Sequence, residues 1–212
     1  MASVKHVVRQ IVTRAVPLTV RAVIRPYKRP DLTAADWQKE YQSDAWRYLG
    51  SVSELSRYSL IAGYCRHYRP GGGVLEIGCG EGLLATHVTT VGASSYLGID
   101  ISAAAIDAAR AQDWARTRFE VGSAETWAAP SNERFDLLVF NESLYYLDAP
   151  AEQVARHSRA LGPDGLVVVS MQEMVAGHRI WSMLRAGYET LDAVRVQHDR
   201  LAWHVRVLQP RR

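Results

Sequence analysis

Three glycines, Gly78, Gly80 and Gly82, lie between the apolar stretch Val74–Ile77 and a helical pattern that begins near Glu81. Glycine at such a turn lets a ligand approach the backbone, because a Cβ would stand in its way. The helix start that follows presents backbone amides without partners. A dinucleotide fingerprint, G-x-G-x-x-G, would need glycine at position 83, and the chain has Leu83 there. A phosphate-binding loop would end in Gly-Lys-Ser/Thr, and none follows. Twenty residues beyond Gly80, Asp100 closes a second apolar stretch, where a carboxylate can accept both hydroxyls of a ribose.

Taken with their neighbours, these residues resemble class I S-adenosylmethionine (SAM)-dependent methyltransferases. Glu76-Ile77-Gly78-Cys79-Gly80-Glu81-Gly82 reads as that family's first motif, and Leu97-Gly98-Ile99-Asp100-Ile101-Ser102 as its second. Val121-Gly122-Ser123-Ala124-Glu125 stands where the family has a Gly-Asp-Ala-like turn against adenine. Ser123 replaces the usual Asp, which passes the adenine-amino contact to Glu125 or a backbone carbonyl. Phe135–Asn141 and the Leu161–Gly165 turn complete five features in register over residues 74–171. The resemblance implies a doubly wound, mostly parallel seven-stranded Rossmann-like sheet with an antiparallel C-terminal hairpin. It assigns Glu76 to the methionine amino group of the cofactor and Arg57, in a preceding helix, to its carboxylate. Gly78, Cys79, Gly80, Asp100, Ile101, Ser123, Ala124, Glu125 and Asn141 complete the expected cofactor contacts. Tyr41 and Tyr58 could close over the cofactor, although aromatics at helical spacing are commonly core.

Methyl transfer from a sulfonium is an in-line displacement, so the protein's work is mostly positioning. An amine acceptor needs only to be unprotonated, whereas an aliphatic hydroxyl needs a general base or a metal. Acceptor residues belong at the carboxyl ends of the fourth and fifth strands. Glu142 follows the fourth strand and is the carboxylate expected to act as base, to anchor a hydroxyl or to hold a cation; its other reading is a cap for the turn. Tyr145 and Tyr146 are expected to meet the substrate. His178, read as part of the loop after the fifth strand, is a second candidate base. The Asn/Asp-Pro-Pro-aromatic motif of adenine and amide N-methyltransferases is missing at Asn141–Tyr146, which argues against DNA methylation. No cluster has metal-ligand spacing.

A narrower resemblance covers Trp37 to Pro210. Asn141–Leu147, Leu166–Ser170, Arg179-Ile-Trp181 and Trp203–Pro210 are similar to small bacterial methyltransferases that modify carbohydrates. These include the rhizobial nodulation-factor N-methyltransferase and the mycobacterial sugar O-methyltransferase of methylmannose polysaccharide synthesis. The resemblance implies a sugar hydroxyl acceptor, with Mg²⁺ assistance as an option; Ser123 and His204 depart from the pattern. Three readings follow: O-methylation of a carbohydrate or similar polar metabolite, N-methylation of an amino sugar or other amine, and a SAM-binding or membrane-associated module without catalysis.

The elements that must position these residues alternate. Strands are expected at Val74–Ile77, Tyr96–Ile101, Arg118–Val121, Phe135–Phe140 and Leu166–Met171, the first a short apolar run and the fourth almost wholly apolar. Helices lie between them, over Glu81–Val91, from a Ser102 cap to Asp113, and over Ala151–Leu161 before the Gly162–Gly165 turn. Continuous apolar strands separated by helices mark a parallel sheet covered on both faces. A helix near Ile180–Ala186 precedes a hairpin of Tyr188–Gln197 and Leu201–Leu208.

The chain of 212 residues has room for one well-buried domain. Two cysteines make no disulfide framework, so a cytoplasmic, reducing location is expected. No apolar run approaches the roughly 20 residues that cross a bilayer. Charge divides the chain: residues 1–30 carry seven basic groups and no acid, leaving 18 basic against 22 acidic residues beyond. A slightly acidic body suits no nucleic-acid groove. The basic segment 1–30 could lie on an acidic membrane surface, mimics a transit peptide, or docks on the domain or on a second subunit of a homodimer. Residues 31–70 form an expected helical cap region, and residues 71–212 the SAM-binding domain.

Overall fold

Thr33 opens the first helix with a reciprocal cap: its hydroxyl accepts from the Asp36 amide, and the Asp36 carboxylate accepts from the Thr33 amide. The computed structural model describes residues 32–211, so the basic segment 1–30 lies outside the described residues. Helix α1 (Ala34–Tyr41) leads through a 3₁₀ turn (Asp44–Gly50) into α2 (Val52–Tyr68), which fills the expected helical region before the sheet.

The sheet then forms in the alternation that the apolar runs foretell: β1 (Gly73–Ile77), α3 (Leu83–Thr90), β2 (Ser95–Asp100), α4 (Ala103–Ala111), β3 (Thr117–Val121) and β4 (Phe135–Asn141). Helix α5 (Pro150–His157), β5 (Leu161–Gln172), α6 (Val175–Leu184), β6 (Tyr188–His198) and β7 (Leu201–Pro210) complete it. Seven strands lie in the order β3-β2-β1-β4-β5-β7-β6. The first five are parallel, and β7 runs antiparallel to both β5 and β6. Alternate side chains serve opposite faces. Val74, Tyr96, Val139 and Val168 pack under α2, α3 and α4, while Leu75, Ile99, Phe140 and Val169 pack under α5 and α6.

Several boundaries differ from the sequence reading: the helix expected over Ala151–Leu161 ends at His157, where a 3₁₀ turn (Ser158–Ala160) passes the chain to Leu161 in β5, and the helix expected to reach Asp113 ends at Ala111. Helix α3 starts at Leu83 rather than Glu81, because Gly80 and Gly82 both hold left-handed backbone that a helix cannot include. The Gly162–Gly165 turn does not precede β5 but bulges within it: Leu161 already pairs with Phe135, and Leu166 with Leu137. Helix α6 begins five residues early, which takes His178 out of a loop and into a helix.

Among the described residues, no helix is long and apolar enough to cross a membrane. The chain leaves β1 toward β2 but returns from β3 to β4 on the other side of β1. Connections therefore diverge at the carboxyl ends of β1 and β4, and a crevice opens between them.

Candidate active site

This crevice, covered by side chains of α1 and the 3₁₀ turn, encloses a cavity of about 350 Å³. Its floor is the turn after β1. Gly78 adopts φ +76°, and a Cβ on it would stand 2.5 Å from that of Ser143. Gly80 adopts φ +54°, and a Cβ there would stand 2.7 Å from the Tyr41 hydroxyl. The amides of Gly78 and Cys79 both donate to the Ile99 carbonyl, which ties the turn to the end of β2. Asp100 then fastens it from the side: Oδ2 accepts from the Gly80 amide at 2.8 Å and Oδ1 from the Ser102 amide at 2.9 Å. Burial raises the Asp100 pKa, and these same amides pull it back.

Gly78, Cys79, Gly80, Asp100, Ile101, Ala124 and Glu125 all line the cavity. Ser123 does not; its hydroxyl donates to the Glu125 carboxylate and accepts from the Glu125 amide, so it shapes the turn from which Glu125 faces inward. The carbonyl of Ala124 accepts from both Arg156 and His157 of α5, each at 2.8 Å. Burial lowers the His157 pKa, so its neutral ring uses Nε2–H as the donor.

At the other end a buried polar chain joins α2 to the sheet. The Arg57 guanidinium, 1% exposed, donates to Glu54 at 2.7 Å and to the Asn141 side-chain oxygen. Burial works against the Arg57 charge, but Tyr58, Glu142 and Glu54 carry its pKa above the ordinary value. Its Nε–H is buried with no acceptor among the described residues, while Arg57 lines the cavity, so a carboxylate would complete it. Asn141 also bonds Glu76, which accepts from the Tyr96 hydroxyl. Glu76 is buried behind the cavity wall rather than in it, and burial pushes its pKa up to about 7 despite Tyr96, Asn141 and Arg57.

Glu142 follows with φ +59°, a backbone that costs a non-glycine residue about 1–2 kcal/mol. Its amide donates to the Ser170 carbonyl, and its carboxylate collects three donors: Tyr145 Oη at 2.8 Å, Ser170 Oγ at 2.9 Å and the Gln172 amide at 3.1 Å. Burial raises its pKa, while Arg57, Tyr145 and Ser170 lower it. Tyr145 and Tyr146 line the same wall with rings 4.6 Å apart, and Tyr146 meets Trp37 edge to face at 5.0 Å.

His178 is not brought to this wall. It lies exposed on α6, 6.3 Å ring to ring from His204, because α6 turns Ile180, Trp181 and Leu184 toward the sheet instead. Sequence reasoning missed Glu54 and Gln172, which carry no motif, and gave no site role to Ser170 and Trp203, which it read only within the segments of the narrower resemblance. It also passed over Gln38, whose side chain accepts from the Ala104 amide and the Ser102 hydroxyl and so fixes α1 on the start of α4. Trp37 at four residues from Tyr41 was a readable signal, as one face of α1. Among the described residues, no group of three or more His, Cys, Asp or Glu is placed to hold a metal ion.

A sheet of this order, ending in a reversed β7 and opening a glycine-floored crevice beside a carboxylate, is the class I SAM-dependent methyltransferase fold. The chain belongs to the methyltransferase domain family, which matches it over residues 45–210. It is 33% identical over 129 residues to the ubiquinone biosynthesis O-methyltransferase of Thiobacillus denitrificans, covering 59% of this chain and 55% of that one. The ribosomal protein L11 methyltransferase of Thermus thermophilus is 37% identical over 120 residues, 55% of this chain and 44% of its own length. The chain thus spans about half the length of these curated relatives. The crystal structure of N-methyltransferase NodS from Bradyrhizobium japonicum WM9, in complex with S-adenosyl-L-homocysteine (SAH), matches with a TM-score of 0.70 at 19% identity. That match covers 84% of this chain and 98% of NodS, and it shows the fold.

Proposed function

We propose that this SAM-dependent methyltransferase methylates a hydroxyl of a carbohydrate or similar small polar metabolite, with Glu142 as the base. The observation that carries the reading is the Glu142 carboxylate itself, half-buried, held by three donors and on the cavity wall. The cofactor supplies an electrophilic methyl group: the acceptor oxygen's electron pair makes the new C–O bond, the C–S pair returns to sulfur, and the hydroxyl proton goes to Glu142. The chain's own residues divide the rest. Gly78, Cys79 and Gly80 form the turn against which the cofactor rests, Asp100 and Ile101 face the ribose, and Ala124 and Glu125 the adenine, with Ser123 orienting Glu125. Arg57 takes the methionine carboxylate through its open Nε–H, and Asn141 and Glu76 set the position of Arg57 and the amino group. Tyr145, Tyr146 and Trp37 offer apolar faces to the C–H side of a sugar ring while Glu142 takes its polar edge.

N-methylation of an amino sugar or other amine is the second reading, favoured by the match to NodS along nearly its whole length. The same proposal puts the enzyme in the cytoplasm, with residues 1–30 contacting an acidic membrane surface or a second subunit. Deleting them tests this through liposome binding and oligomer size.

Labelled SAM offered with sugars, amino sugars, amines and phenols, with and without Mg²⁺, names the acceptor. Glu142→Gln is expected to slow transfer to a hydroxyl by about 10²–10⁴-fold while SAH still binds. Transfer at the wild-type rate would remove Glu142 as base. No heat on adding SAM or SAH in calorimetry would remove every enzymatic reading.

A further inference from the structure

We propose that Ser170 is the positioning residue that keeps Glu142 ionised and ready to accept a proton, by placing its one hydroxyl hydrogen on Glu142 rather than on Asn141. The inference rests on Glu142 being the base.

Ser170 is fully buried in β5, in register with Asn141 of β4. Its Oγ lies 2.9 Å from Glu142 Oε1 and 3.1 Å from Asn141 Oδ1. Neither acceptor oxygen carries a hydrogen while Glu142 is charged, and a serine hydroxyl carries one. The hydrogen can therefore serve only one of them at a time. Asn141 Oδ1 already receives the Arg57 guanidinium. Among the described residues, Glu142 Oε2 receives two donors, from Tyr145 and Gln172, whereas Oε1 receives only Ser170. A hydrogen bond to an ionised acceptor is about twice as strong as a neutral one, so the Ser170 hydrogen goes to Oε1 while Glu142 is charged.

The same count shows where an incoming proton lands. Oε2 is filled, and Oε1 keeps one lone pair. As the acceptor's O–H bond breaks, an Oε1–H bond forms, and the oxygen pair left behind is the one that takes the methyl carbon. Neutral Oε1 is then a weaker acceptor, and the Ser170 hydroxyl turns to Asn141 Oδ1. One rotating hydrogen thereby connects the acceptor end of the cavity to the Arg57 end.

The groups that face Glu142 come from four elements. Helix α2 brings Arg57, which favours the charged form, and Glu54, which opposes it. The short 3₁₀ turn Leu144–Tyr146 brings Tyr145, β5 brings Ser170 and the Gln172 amide, and β7 brings Trp203 to the cavity wall. All but Ser170 are kept in the variants that test the idea.

The test needs no acceptor. Protein carrying ¹³C at the glutamate side-chain carboxyl is titrated by NMR, with the Glu142 resonance assigned by its loss in Glu142→Gln. Ser170→Ala is expected to raise the Glu142 midpoint by about one pH unit, a tenfold change in proton affinity. Ser170→Cys keeps the side-chain length but donates weakly, and moves the midpoint part of the way. Thermal melts establish that each variant is folded, and the cysteine variant serves alone should the alanine variant not fold. A midpoint unmoved in a folded variant overturns the role of Ser170. Wild-type methyl transfer by Glu142→Gln overturns the base instead, so the two failures are separate.

Discussion

The Tyr41 hydroxyl stands where a side chain on Gly80 would have to go, 2.7 Å from a Cβ built on that residue. Helix α1 therefore closes over the glycine turn at the point of closest backbone approach. Gly80→Ala meets two obstacles: this contact, and a φ of +54° that disfavours any side chain. SAH affinity is expected to fall at least tenfold by calorimetry. Tyr41→Phe in the same chain removes the hydroxyl and recovers the steric part, while the backbone cost of about 1 kcal/mol persists. Equal affinities for Gly80→Ala with and without Tyr41→Phe would show that the contact carries no weight.

Asp100 holds the turn and, in the proposed cofactor site, accepts the ribose hydroxyls, so Asp100→Ala should act twice. The Gly80 and Ser102 amides lose their acceptor, at about 1–3 kcal/mol for each buried group left unmet. Loss of charged hydrogen bonds to a ribose adds a 10²-fold or greater weakening of SAH binding, on the order of 1.5–3 kcal/mol per bond. Calorimetry and a thermal melt read the two effects separately, and an unchanged SAH affinity would detach Asp100 from the cofactor.

Glu54 and Arg57 form an ion pair at 2.7 Å with both side chains almost wholly buried. Removing one partner strands a buried charge, at about 3–5 kcal/mol. Glu54→Ala should lower the melting temperature by roughly 10 °C, at about 2–4 °C per kcal/mol for a domain of this size. Glu54→Leu with Arg57→Met should regain much of that loss while abolishing the Arg57 contribution to SAH binding. A melt within 2 °C of wild type for Glu54→Ala would refute the pairing.

Glu76 gives the fold a pH dependence of defined sign. Its folded pKa of about 7 lies above its ordinary value near 4.5. Between these values the folded chain keeps a proton that the unfolded chain has released. Its contribution therefore falls as pH rises from about 4.5 to about 7, and is flat beyond, by about 3 kcal/mol in all. Glu76→Gln, which cannot ionise, should gain on wild type by that amount between pH 5 and pH 8 in urea unfolding. Parallel pH profiles for the two proteins would mean that Glu76 does not titrate in this window.

The centre of the sheet could be read in advance because β1, β2, β4 and β5 contain apolar runs, and burial on both faces makes such runs continuous. The glycine turn and Asp100 could be read for a related reason. Both sit at strand ends, and parallel strands in register bring those ends to one edge, so a spacing along the chain becomes a distance. The Gly162–Gly165 bulge could not be read, because the pairing of Leu161 with Phe135 is a choice between strands and leaves no local mark.

The amino-acid sequence by itself determined the order of the elements, the cradle after β1 and the acid after β2, since each depends on residue type and near neighbours. Tertiary structure alone put Glu142 on the cavity wall and left His178 exposed beside His204, away from the cavity. It also decided the polar chain through Glu54, Arg57, Asn141, Ser170 and Glu142. Arg57 meets Asn141 across 84 residues of chain, and Ser170 meets Glu142 across 28. Such contacts are made by helix packing and strand register, and no local preference of the residues involved encodes them.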